Sequence, residues 1–251
     1  MPFLRSARIK DEIDVPVNEF PFTIPAIGAD FAMELPTNVT FFVGENGSGK
    51  STVIEALAVA CGFNASGGSR NNVYEHAKTE SSLSDALRLT WNKKMNHGFF
   101  LRAESFFNFA THLDAEHELS KTIPLMGSPL PYYGGKSLHQ MSHDESFLTL
   151  LKNRFTHGVF FLDEPEAALS PTRQLAFLAL LHTMESSGKC QFVIATHSPI
   201  LLAYEPATIY RFGQDGISTT KYKDTEHYRV TKDFLDAPEL YVRNLKRSED
   251  E

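Results

Sequence analysis

Gly44-Glu45-Asn46-Gly47-Ser48-Gly49-Lys50-Ser51 is a complete G-x-x-x-x-G-K-S phosphate-binding loop, and this stretch decides the fold. The apolar run 39–43 before it predicts a short buried strand, and the apolar face of 51–60 after it predicts a helix that stops at Gly62. Glycines let the backbone wrap closely around a phosphate, so that N–H groups and the positive helix end face the anion. The stretch therefore predicts a nucleotide site.

Two polar side chains of the loop are expected to contact the nucleotide and its metal ion. Lys50 would reach the β- and γ-phosphates, and the Ser51 hydroxyl would ligate Mg²⁺. A chance glycine-rich turn is the alternative, but the strand before the loop and the helix after it disfavour that alternative. The predicted nucleotide-binding residues of this segment are Gly44, Glu45, Asn46, Gly47, Ser48, Gly49, Lys50, Ser51 and Thr52.

Length, composition and net charge indicate what class of protein this is. The 251 residues, 42% hydrophobic and 22% charged, suffice for one large or two small globular domains, and we predict a single domain over 1–251. A net charge of −7 argues against wrapping nucleic acid by bulk electrostatics, although a local basic patch is compatible with it. Cys61 and Cys190 are predicted to be buried reduced thiols. Without a membrane-spanning stretch or a signal-peptide core, a cytoplasmic location is expected.

The first half of the chain has weaker structural signals. Prolines among short apolar stretches in 1–38 predict a small antiparallel sheet beside the nucleotide site. Residues 82–89 fit a helix, but 87–91 equally fit a strand. Further along, we predict a strand over 99–103 and a helix over about 105–119. Loops are predicted over 64–72, around Arg70, and over 122–137.

The second half reads as alternating strands and helices. The apolar runs 159–162 and 192–195 predict buried parallel strands, separated by a helix that begins at Ser170-Pro171. Such alternation predicts an α/β fold with a doubly wound, mainly parallel sheet and a ligand at the carboxyl edge of its strands.

Charged side chains follow both of these strands. Asp163 could hold the Mg²⁺ shell, and Glu164 could polarise a water for attack on the γ-phosphate. His197, after the second strand, could donate to the γ-phosphate. Two acids at a strand end are more often solvated than functional, and a lone histidine there is usually structural, but the phosphate loop upstream favours a site.

With these residues in place, the chain resembles the ABC-class AAA-type ATPases, and within them the SMC and RecF-like branch. The matching motifs are 44–51, 160–164, a D-loop at 166–170 and the switch-histidine segment 196–198. The resemblance implies a P-loop NTPase fold with an N-terminal antiparallel β subdomain and a helical insertion over roughly 64–158. It implies ATP hydrolysis with Lys50, Glu164 and His197 as catalytic residues and Ser51 and Asp163 as Mg²⁺ ligands.

A variant of the family's signature motif begins at Met141. Ser142 is kept, while His143 and Asp144 replace the usual glycine pair. In the family this segment contacts the nucleotide of the opposite subunit, which implies an ATP-dependent head-to-tail homodimer with Ser142 at the ATP. Asp144 beside a triphosphate would repel it unless turned away or protonated. The alternative for this stretch is a plain capped helix start.

Two further departures limit the resemblance. No clear glutamine loop follows the predicted strand 99–103, and Glu104 is the nearest candidate for that position. About ninety residues separate Ser51 from Ser142, and they contain no heptads, so there is no room for a coiled-coil arm. The first hypothesis is an ATPase whose dimerisation acts on a protein or nucleic-acid partner. The alternatives are a nucleotide-binding subunit of an ABC transporter and a non-catalytic ATP-gated switch.

Overall fold

The computed structural model describes residues 1–65, 67, 68, 82–104, 106–123 and 127–247. The predicted loop around Arg70, the predicted helix start at Ser105 and residues 124–126 of the predicted 122–137 loop lie outside the described residues. The described part of that loop contains a short 3-10 turn, Leu130–Tyr133. Among the described residues, no helix is long and apolar enough to cross a membrane.

Strands and helices together make up most of the described chain. The strands are β1 (Leu4–Ile9), β2 (Ala32–Glu34), β3 (Val39–Val43), β4 (Leu87–Trp91), β5 (Gly98–Arg102), β6 (Gly158–Asp163), β7 (Cys190–Ala195), β8 (Thr208–Gly213) and β9 (Gly216–Thr220). The helices are α1 (Lys50–Ala60), α2 (Ser82–Ala86), α3 (Phe106–Thr122), α4 (His143–Arg154), α5 (Pro171–Ser186), α6 (Pro199–Leu202), α7 (Glu226–Asp236) and α8 (Pro238–Arg247).

A six-stranded sheet forms the centre, in the order β5-β6-β7-β3-β8-β9. Its first five strands run parallel, and β9 pairs antiparallel with β8 as a hairpin. Two hydrophobic clusters lie on opposite faces, because alternate residues of β3 belong to different clusters: Phe41 to one and Phe42 to the other. Helix α1 covers the Phe42 face, whereas α3, α4 and α5 contribute to the Phe41 face. The predicted doubly wound, mainly parallel sheet is confirmed.

A second, antiparallel sheet has the order β2-β1-β4. The predicted N-terminal antiparallel subdomain is therefore present, and its third strand comes from after the phosphate loop. Residues 82–91 adopt both of the predicted structures in succession, since α2 ends at Ala86 and β4 begins at Leu87. Segment 64–158 thus contributes β4 and β5 to the two sheets as well as helices.

Candidate nucleotide-binding and active site

The phosphate loop connects β3 to α1, and its glycines are required by geometry. Gly44 has a φ of 149°, and a Cβ there would lie 2.4 Å from the carbonyl oxygen of Phe212. Gly49, which precedes α1, has a φ of 100°, in the left-handed region that glycine alone adopts without strain. The loop is thereby folded tightly against β8 at one end and joins the helix N-terminus at the other.

Lys50 is a charged side chain inside this loop and is only 4% exposed. Its Nζ donates hydrogen bonds to the carbonyl oxygens of Gly44 at 2.7 Å and Glu45 at 2.9 Å. Burial lowers the pKa of Lys50, and the nearby carboxylates of Glu164 and Asp163 oppose that shift. Both of these hydrogen-bond acceptors are neutral, so an anion such as a phosphate would compensate the charge of the buried ammonium.

A cavity of about 570 Å³ opens beside the loop. Predicted residues of the phosphate loop border this cavity together with Glu164, which follows β6, and His197, which lies beyond the end of β7. Phe20 and Ile24, from the N-terminal region, also border it, and sequence reasoning did not assign them to the site. The lining residues are Phe20, Ile24, Asn46, Gly47, Gly49, Lys50, Ser51, Thr52, Glu164 and His197.

The two residues predicted to ligate Mg²⁺ are in contact. The hydroxyl of Ser51 donates to Oδ1 of Asp163 at 3.1 Å, so two oxygens from α1 and β6 are adjacent. This oxygen pair fits Mg²⁺, which takes one or two protein ligands and completes its shell with phosphate and water. Among the described residues, no group of three or more His, Cys, Asp or Glu could hold a metal, and a site of this type does not need one.

Arg102, at the end of β5, forms an ion-pair network with Asp163 that sequence reasoning missed. It donates to Glu55 of α1 at 2.5 Å, and its Nε lies 3.3 Å from Oδ2 of Asp163. Burial raises the pKa of Asp163, and Arg102 is the largest influence that opposes this. Arg102 therefore helps to keep the Asp163 carboxylate charged in a buried position. The predicted glutamine-loop candidate Glu104 borders an adjoining cavity of about 330 Å³ together with Ser51, Arg102 and Asp163.

Glu164 has an unusual backbone conformation. Its φ of 51° is the only positive value of a non-glycine residue in the described part of the chain. Such a conformation costs about 1–2 kcal/mol and persists only when its surroundings impose it. Here the Glu164 N–H donates to the carbonyl oxygen of Ala195 at 2.9 Å. The turn ends β6 and leaves the Glu164 side chain half exposed at the cavity.

His197 is held from three sides. Its Nε2 lies 3.5 Å from Oε1 of Glu164, and its backbone N–H donates to Oε1 of Glu166 at 2.5 Å. Its Nδ1 is 2.9 Å from Nε2 of His227, in the first turn of α7. Burial, together with Lys50, lowers the pKa of His197. The sequence predicted neither the Glu166 carboxylate, which accepts from the His197 backbone, nor His227 as a support of this histidine.

The signature-like stretch lies apart from this cavity in the single chain. Ser142 is exposed and caps α4, accepting a hydrogen bond from the Glu145 N–H at 3.4 Å. Asp144 accepts from the Ser170 hydroxyl at 2.6 Å and from its N–H at 3.3 Å. Asp144 thus points towards Ser170 in the D-loop segment. A carboxylate that is turned away in this manner would not repel a triphosphate bound beside Ser142.

Two AAA-domain family models match the chain. One, described as "AAA domain", matches residues 22–102 and includes the phosphate loop. The other, described as "AAA domain, putative AbiEii toxin, Type IV TA system", matches residues 141–203 and includes Ser142, Asp163, Glu164 and His197. No curated protein matches the chain.

Solved structures with a similar architecture include cbiO1 from Clostridium perfringens, part of the ABC transporter complex cbiONQ, at 15% identity over 95% of this chain and 97% of that one, with a TM-score of 0.49. An ATP-binding cassette of an ABC transporter in its ADP conformation is 16% identical over 96% and 99%, with a TM-score of 0.49. The SMC head domain from Thermotoga maritima is 15% identical over 88% and 99%, with a TM-score of 0.45. Similarities this distant assign no role to the chain.

The identification rests on the two family matches and on the motifs that they contain. The phosphate loop, the signature-like Ser142, the acid pair at the end of β6 and the histidine after β7 occur in the order that the ABC class has. Residues 22–102 and 141–203 therefore match AAA-domain families, and the order of their motifs is consistent with an ABC-class ATPase of SMC/RecF-like type.

Proposed function

We propose that this protein hydrolyses ATP to ADP and phosphate with Mg²⁺, as an ATP-dependent head-to-tail pair of chains. The observation that carries the proposal is the convergence of five predicted residues at one edge of the central sheet. Ser51 contacts Asp163, Glu164 lies beside His197, and Lys50 borders the same cavity as Glu164 and His197. The AAA-domain matches support nucleotide binding, whereas hydrolysis and pairing are the proposal.

The roles follow from the chemistry of each group. Lys50 would bind the β- and γ-phosphates, while Ser51 and Asp163 would hold Mg²⁺, which offsets the negative charge of the phosphates when bound. Glu164 would accept a proton from a water molecule while the oxygen of that water forms a bond to the γ-phosphorus. The bond from that phosphorus to the β–γ bridging oxygen then breaks, and ADP leaves. His197 would donate a hydrogen bond to the γ-phosphate.

The paired form would place Ser142 of one chain at the ATP of the other. Two observations support this. Ser142 is exposed, and the hydrogen bonds from Ser170 hold Asp144 aside. The pair would then act on a protein or nucleic-acid partner, and turnover measured with and without DNA separates these two classes.

The change Glu164→Gln tests hydrolysis, because it keeps the shape of the side chain and removes only the carboxylate. We expect kcat to fall by roughly 10² or more, while ATP affinity in titration calorimetry is retained. Glu205→Gln makes the same change at an exposed position outside the site and should leave kcat unaltered.

Sedimentation of the Glu164→Gln variant tests pairing in the same preparation. With saturating ATP and Mg²⁺ the variant should accumulate as a dimer, and with ADP it should stay monomeric. An unreduced kcat would exclude Glu164 as the general base. A monomer at micromolar concentration with saturating ATP would contradict the head-to-tail pair.

A further inference from the structure

His227 lies thirty residues beyond His197 and belongs to helix α7, whose N-terminus is capped by Thr225. Its Nε2 is 2.9 Å from Nδ1 of His197, and the two ring centroids are 5.0 Å apart. Both rings are partly buried, and burial lowers the pKa of each. Burial thus favours the neutral form of both imidazoles, and the 2.9 Å distance between their nitrogens accommodates one hydrogen bond.

Two proton arrangements are compatible with that distance. Either His227 donates from Nε2 to a bare Nδ1 of His197, or His197 donates from Nδ1 to a bare Nε2 of His227. The other side of the His197 ring decides between them. Its Nε2 faces Oε1 of Glu164 at 3.5 Å, where a lone pair would meet a carboxylate but an N–H would be attracted to it.

The charged groups around the pair also favour the arrangement in which His227 donates from Nε2 to Nδ1 of His197. Lys50 and Glu164 face His197, and Lys50 and Glu226 influence His227. His197 Nε2 is buried without a formed hydrogen bond, 3.5 Å from Oε1 of Glu164. A neutral His197 with its proton on Nε2 aims an N–H at that carboxylate and also leaves Nδ1 free to accept from His227. The alternative places two acceptors, His197 Nε2 and the Glu164 carboxylate, against each other.

We infer that His227 is a positioning residue that fixes His197 in its Nε2–H tautomer, so that His197 presents a hydrogen-bond donor to the γ-phosphate. The inference rests on the proposed function for its consequence, but the tautomer itself is a property of the folded chain. It gives α7, which the sequence had left without a role, a direct connection to the catalytic edge of the sheet.

The first experiment is nitrogen-15 NMR of histidine-labelled protein, with the His197 signals assigned from the His197→Gln variant. The wild-type protein should show His197 as the Nε2–H tautomer. His227→Leu, which removes the donor but keeps an apolar side chain of similar size, should shift His197 towards the Nδ1–H tautomer or a mixture. An Nδ1–H tautomer in the wild-type protein would overturn the inference, whether or not the protein hydrolyses ATP.

Turnover gives the second readout. His227→Leu should lower kcat about 10-fold, in line with the loss of one oriented hydrogen bond, with ADP affinity unchanged. His227→Gln restores an N–H donor and should return kcat to within about 3-fold of wild type. His182→Leu is the matched control, since His182 is an exposed histidine of α5 that contacts Tyr204 and lies outside the cavity.

The outcomes separate the proposed hydrolysis from the inferred positioning role. If wild-type protein does not turn over ATP but shows the Nε2–H tautomer, the proposed hydrolysis fails and the positioning by His227 stands. If the Gln and Leu variants lose the same amount of kcat, or if ADP and ATP affinities fall together, His227 is a structural residue and the inference is wrong.

Discussion

The two regions proposed to contact ATP differ in how far the fold itself supports them. At the carboxyl edge of the central sheet, Lys50, Asp163 and His197 each have hydrogen-bond or ion-pair partners from the same chain. In the signature-like stretch, Ser142 caps helix α4 and its side chain is exposed. The first region is assembled within one chain, whereas the second lies outside the cavity that it would have to reach.

Because only the first region is assembled within one chain, the two regions should contribute differently to ATP binding and to ATP turnover. A site whose groups are already in place can bind nucleotide as a single chain, because little ordering is needed on binding. A segment that reaches ATP only across an interface contributes nothing until two chains meet. Substitutions of the phosphate- and metal-binding groups in the first region should therefore change ATP affinity or folding stability, and substitutions in the second should lower turnover while leaving ATP affinity unchanged.

Lys50→Ala is expected to have the largest effect. It removes the buried ammonium that faces the cavity, and charge-assisted hydrogen bonds of about 1.5–3 kcal/mol each would be lost, so ATP affinity should fall at least about 100-fold. Titration calorimetry measures this directly. Lys189→Ala, at the opposite end of β7 from the site, provides the control. Equal affinities in the Lys50 variant and the wild type would show that the nucleotide binds elsewhere.

Arg102→Met tests whether the first region also stabilises the fold. Arg102, Glu55 and Asp163 have side chains only 19%, 8% and 8% exposed, so the change takes a cation away from two buried carboxylates. We expect a loss of about 3 kcal/mol in the free energy of unfolding at pH 7, measured by urea denaturation. Arg88→Met breaks exposed pairs with Asp11 and Glu12 and should barely move the midpoint.

The pH dependence of the Arg102 effect has a definite sign. Burial already raises the pKa of Asp163, and loss of Arg102 would raise it further. The folded variant would then bind a proton more tightly than the unfolded chain does, so the stability deficit should be largest at neutral pH. The deficit should shrink as the pH falls towards the unfolded carboxyl pKa. A deficit that is independent of pH would indicate lost packing of the arginine stem instead.

These supporting residues also show what the sequence could and could not predict. The phosphate loop and the acids at the end of β6 could be predicted because each depends on local signals: glycines at fixed spacing, and charge at the end of an apolar strand. Arg102 depends on register, since it is paired with Asp163 only because β5 and β6 are neighbours. Nothing local in 98–102 identifies that neighbour, although a cation near the end of the predicted strand 99–103 was a usable signal.

His227 and Asp144 are unpredictable for a different reason. Each contacts a residue distant in the chain, His227 contacting His197 and Asp144 contacting Ser170 before α5. The direction of a helix after a hairpin, or of an acid in a first helical turn, is set by tertiary packing. Residues 82–91 show the same limit in secondary structure, since their two competing signals are both realised, one after the other.

Ser142→Arg is expected to have the smallest effect on the isolated chain and is the sharpest test of the second region. Because Ser142 is exposed, ATP affinity should be unchanged, and the lost helix cap should cost no more than about 1 kcal/mol of stability. Turnover should nevertheless fall about 10-fold, since the added side chain would block the approach of the other chain's nucleotide. Ser218→Arg, on the edge strand β9, controls for the added charge.

Mixing two defective variants decides whether the site is shared between chains. A head-to-tail pair of Ser142→Arg with Lys50→Ala contains one site with an intact phosphate loop from the first chain and an intact Ser142 from the second. In an equimolar mixture with random pairing, half the dimers are mixed and each has one intact site, so about a quarter of wild-type turnover should return. No return of turnover, with pairing confirmed by sedimentation, would show that each chain completes its site alone and that the signature-like stretch is a capped helix start and nothing more.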